Sequence, residues 1–81
     1  MTRQEQNAFR DYLRTIEDEL LAAVTADYIW LAAQSEDEND QPASRFRWRR
    51  GACHEECVRR GKARIWRQAE RELAGAVGQV A

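Results

Sequence analysis

The sequence predicts an all-α protein, an antiparallel two-helix hairpin that pairs with a second copy into a four-helix bundle. Three observations carry this expectation. Only four glycines and one proline occur in 81 residues, while alanine, glutamate, arginine and leucine abound, a helix-forming composition. Apolar residues recur at helical spacing on both sides of residues 35–44, in alternating steps of four and three before that stretch and in steps of four after it. That stretch, SEDENDQPAS, is where acidic residues, turn formers and the proline gather.

The first helix is expected over residues 3–34. Thr2 can cap it, and Glu5 three residues later completes a capping-box pattern. Its stripe runs Phe9, Leu13, Ile16, Leu20, Ala23 or Val24, Asp27, and Trp30 or Leu31. From Leu20 to Ala33 the apolar residues lie almost all round the helix, so a single neighbouring helix cannot cover them. This is the main argument for self-association. An acidic loop follows over 35–42, with Pro42 placed where a first helical turn tolerates it.

The second helix is expected over residues 43–74, followed by a tail, 75–81. Cys53, Cys57, Gly61, Ile65, Ala69, Leu73 and Val77 step by four, a row that drifts round a continuous helix. Gly51 and Gly61 weaken a helix interior and permit a bend or the close packing of another backbone. Arg49, Glu56, Arg60, Arg67 and Arg71 are expected on the solvated side. The dimer core is expected from Leu20, Val24, Tyr28, Trp30, Leu31, Ile65, Trp66 and Leu73.

Charge is uneven. Residues 1–34 hold three basic and six acidic side chains, 35–44 four acidic and none basic, and 45–81 ten basic and four acidic. The acidic first helix therefore suits the basic second one. With 43% apolar and 33% charged residues the chain reads as a folded, amphipathic domain, and 81 residues allow one domain with a small core. No apolar run is long enough to span a bilayer, so no membrane partner is expected. No secretory signal opens MTRQEQNAFRDYL, so a cytoplasmic location with reduced cysteines is expected.

The stretch RFRWRRGACHEEC, residues 45–57, concentrates the residues that could carry chemistry. Cys53 and Cys57 share a helix face, and the chain has only one histidine, His54, so one copy cannot complete a four-ligand zinc site. Core packing is the preferred role for the thiols, and no metal, cofactor or catalytic residue is assigned. An inter-subunit metal or disulfide is the alternative. Arg45, Phe46, Arg47, Trp48, Arg49 and Arg50 form the candidate partner-binding patch, because arginine and aromatics dominate interface anchors. The same arginines could contact phosphates of nucleic acid, which is the second reading; a structural assembly component is the third.

In the layout of its two helical segments, residues 3–34 and 43–74, the chain resembles small bacteriophage-encoded helical-hairpin proteins that bind and block a host factor. The resemblance implies a dimer without catalytic activity that occludes a functional surface of another protein. It rests on architecture, with no signature residue shared, so it assigns no binding residue.

Overall fold

The computed structural model describes residues 1–34 and 41–80, and their side chains except those of 41–43 and 75–80. Those residues form four helices: α1 (Arg3–Thr15), α2 (Asp18–Gln34), α3 (Gln41–Arg59) and α4 (Ala63–Val80). The class is all-α. Each long helix expected from the sequence is interrupted once, however, so a single chain supplies four helices. Residues 35–40 of the expected acidic loop lie outside the described residues, and α3 already includes Gln41 and Pro42. Most of the expected tail is helical backbone up to Val80.

Thr2 caps α1 as expected: its Oγ1 accepts from the Glu5 amide at 3.1 Å. The helix stops at Ile16, whose backbone is extended at φ −88° and ψ 154°. Thr15 and Ile16 are β-branched, and Thr15 Oγ1 donates to the Tyr12 carbonyl at 2.8 Å, competing with the helical ladder. Asp18 and Glu19 then fall in the first turn of α2, where carboxylates meet the positive end of the helix dipole.

The second interruption is a Schellman turn. The Gly61 amide donates to the Val58 carbonyl and the Lys62 amide to the Cys57 carbonyl, each at 2.9 Å. Gly61 has φ 70°, a conformation an L side chain reaches only at a cost of about 1–2 kcal/mol. The turn also solves the geometric problem of the drifting apolar row. α3 buries Ala52, Cys53 and Cys57, then the chain re-enters helix in a new direction and buries Ile65 and Ala69.

α2 packs on α3 and α4, α3 packs on α4, and α1 packs on α3. The Cα extents of 39 × 32 × 15 Å describe a slab two helices thick, given interaxial spacings of about 8–10 Å. Leu13, Leu21, Ala52, Cys53, Cys57 and Ile65 form the buried centre, so every helix contributes. A broad apolar surface that the sequence assigned to a second copy is therefore partly covered within one chain. Ile65 in particular belongs to this intramolecular core.

Candidate functional site

Three side-chain groupings are built by this fold. The first is a charged knot where the two helix interruptions meet. Arg60 donates from Nη2 to the carbonyls of Leu13 (2.5 Å) and Ile16 (2.8 Å), from Nη1 to Asp18 Oδ1 (2.9 Å) and from Nε to Glu56 Oε2 (2.7 Å). Arg59 adds a fork onto Glu56, at 2.8 and 2.6 Å, and Lys62 pairs with Asp18. Glu56 and Arg60 side chains are only 5% and 13% exposed, so the expectation that both are solvated is corrected. A carboxylate near the C-terminal end of α3 faces an unfavourable dipole, and only the two guanidinium groups hold it there.

Arg59, then Arg60, hold the Glu56 carboxyl at about 2, well below its ordinary value, despite burial acting the other way. Lys62 and then Arg60 lower Asp18 as well. Both carboxylates bind protons less readily folded than unfolded, so their stabilisation is present above pH 4.5 and is lost as pH falls towards about 2. Because half of the Arg59 side chain is in solvent, screening holds the Glu56 contribution to about 1–2 kcal/mol. The urea midpoint should therefore fall below pH 4.5, and Glu56→Gln should start lower and respond less to acid. Parallel pH profiles for the two proteins would contradict this assignment.

The second grouping is the thiol core. Cys53 and Cys57 are unbridged, 0% exposed and one turn apart, with fully buried Thr25 of α2 against them. Burial pushes Cys53 up to about 12 and raises Cys57, while the Thr25 hydroxyl opposes both shifts. No donor–acceptor geometry among the described residues completes a hydrogen bond for Thr25 Oγ1, so it acts chiefly by packing. Protonated, enclosed thiols are poor nucleophiles. An aromatic disulfide reagent at pH 8 should label neither cysteine in the native protein and both in denaturant; fast native labelling would refute enclosure. His54 stays exposed, edge-on to Trp66 with centroids 4.7 Å apart. Among the described residues no group of three or more His, Cys, Asp or Glu is placed to hold a metal ion.

The third grouping contains most of the candidate partner-binding and dimer residues. Arg45 and Arg47 are exposed, whereas Phe46, Trp48, Arg49 and Arg50 are half-buried. Trp48 meets Phe9 at 6.1 Å and lies under the Arg10 guanidinium at 5.1 Å. Phe46 meets Tyr28 at 6.4 Å, and the Arg49 guanidinium lies 5.7 Å from the rings of both Phe9 and Tyr28. The patch is thus partly turned inward, holding α3 against α1 and α2. Arg49, expected on the solvated side, is the residue most altered by this; Arg67 and Arg71 are exposed as expected.

On the outer side of the same aromatic seam, α2 presents a second apolar stripe. Leu21, Thr25, Ile29 and Ala32 face the core, while Leu20 and Trp30 are 46% and 48% exposed. Val24 and Leu31 are half-buried and, with Phe9, Tyr12, Asp27 and Tyr28, line an open groove of about 400 Å³ between α1 and α2. The groove exists because α1 packs chiefly on α3 rather than along α2. Trp66 and Leu73 of the expected dimer core are half-buried on α4. Sequence reasoning missed the knot residues Asp18, Arg60 and Lys62 and the groove residue Tyr12. The Thr-Ile-Glu-Asp-Glu run at 15–19 was the available signal for the first break. No helix among the described residues is long and apolar enough to cross a membrane. Comparison with protein-family models, curated proteins and solved structures finds no match for this chain.

Proposed function

We propose that the protein is a non-enzymatic interaction module whose outer α2 face covers a functional surface of a partner protein. One observation carries the reading. Leu20 and Trp30 stand about half exposed on a helix whose opposite stripe already fills the core. Exposed large apolar residues beside a groove are costly to leave in water and are a common mark of protein contact sites. Heptad-like spacing of Leu20, Val24, Asp27 and Leu31, steps of four, three and four, suits a helix laid alongside.

That spacing also supports a second reading, a homodimer in which two copies pair through α2. The nucleic-acid alternative draws on Arg45 and Arg47 more than on Arg49, whose guanidinium is engaged with two rings of its own chain. Light scattering across the micromolar range, together with partner capture on the immobilised chain, tests the proposal using wild type and Leu20→Glu. Contact through α2 predicts an association that Leu20→Glu abolishes while its helical circular dichroism is unchanged. Association that ignores the substitution, or none in either experiment, would count against it.

A further inference from the structure

We propose that the groove between α1 and α2 receives a basic amphipathic helix of another protein, with one lysine or arginine of that helix seated against Asp27. The inference rests on the reading that the outer α2 face is the contact surface, and it specifies the occupant. Its basis is charge. Along α2, DELLAAVTADYIWLAAQ, there are three carboxylates and no cation, and Asp27 lies mid-helix among Val24, Tyr28 and Leu31. Asp27 joins none of the ion pairs among the described residues.

The groove's α1 wall is uncharged but electron-rich. Phe9 and Tyr12 lie 6.3 Å apart, and Tyr28 meets Phe9 edge-on at 5.5 Å. Aromatic faces beside a carboxylate attract a cation through the ring quadrupole as well as through charge. The same seam already shows this preference, since Arg49 lies over Phe9 and Tyr28 from the α3 side and Arg10 over Trp48. Glu5, one and two turns from Phe9 and Tyr12 on α1, is a further exposed acid, and the cation already against the lining rings, Arg49, reaches them from α3.

A second copy fits this chemistry less well. Pairing α2 antiparallel with itself sets Leu20 against Leu31 and brings the two Asp27 carboxylates close together near the twofold axis. Neither α2 supplies a counter-charge. Like charges in a seam oppose association, whereas one acid in an apolar seam selects a partner with a base at the matching position.

The test uses the full chain and a fluorescein-labelled amphipathic peptide matched in length to α2. The peptide carries leucines at seam spacing and one central arginine; its control has glutamate there. Fluorescence anisotropy should give an affinity at least about tenfold higher for the arginine peptide. Asp27→Asn should remove most of that preference, and Asp27→Lys should reverse it. Equal affinity for both peptides would overturn the cationic occupant while leaving α2 as a contact face. So would a wild-type dimer that Leu20→Glu dissolves and the arginine peptide does not displace. Binding of neither peptide by a chain that stays monomeric and captures no partner would overturn both readings.

Discussion

Replacing Arg60 with alanine should cost about 3–5 kcal/mol of unfolding free energy, the range for breaking a buried ion pair by removing one partner. The guanidinium closes four hydrogen bonds at once, to two carboxylates and to the carbonyls of Leu13 and Ile16 at the end of α1. Truncation leaves those carbonyls unpaired and Asp18 with only Lys62. The carbonyls, left without their donor, add to what the loss of the buried Glu56 pairing costs, since an unmade hydrogen bond to a part-buried acceptor costs up to about 1–3 kcal/mol. For a chain of 81 residues this corresponds to a fall in Tm of about 12 °C or more. Arg60→Lys should recover less than half, since an ammonium cannot fork between α1, α2 and α3. Urea denaturation of the three proteins decides the matter, and an alanine variant within about 1 kcal/mol of wild type would reduce the knot to an ordinary surface pair.

The second large effect separates two adjacent leucines. Leu21 is 0% exposed at the junction of α2 with α3 and α4, and Leu20 is 46% exposed on the outer face. Leu21→Ala should cost about 2–5 kcal/mol through lost burial and the cavity left among Leu13, Cys53, Cys57 and Ile65. Leu20→Ala should change stability by no more than about 0.5 kcal/mol, yet weaken association through α2. Denaturant melts and the anisotropy assay, run on both variants, distinguish a core position from a contact position. Equal destabilisation by the two substitutions would show that α2 has no spare face.

How far the sequence foretold this structure depends on the range of the forces involved. The helical class and the Thr2 cap were legible because composition, periodicity and capping are local. The apolar surplus of Leu20–Ala33 was legible too, and correctly implied more than one covering neighbour. What it could not disclose is that α3 and α4 of the same chain supply part of that cover. The step-four row from Cys53 to Val77 signalled trouble for a straight helix, and Gly61 marked the place, but a bend within one helix and a turn that ends it and starts another share that signal. Arg60 was the hardest to place. Its partners Leu13, Ile16 and Asp18 lie 42–47 residues away and two of them act through backbone carbonyls, which side-chain identity does not advertise.

The stitching of residues 13–18 to residues 56–62 bears on how the chain comes apart. A species with only α1 and α2 folded leaves the last carbonyls of α1 without their donor. One with only α3 and α4 folded leaves Arg60 short of most of its acceptors and the two thiols without Leu21 and Thr25 above them. Neither half is a resting place on the way down, so loss of either removes what completes the other. The expected behaviour is a single all-or-none transition, with calorimetric and van't Hoff enthalpies in agreement.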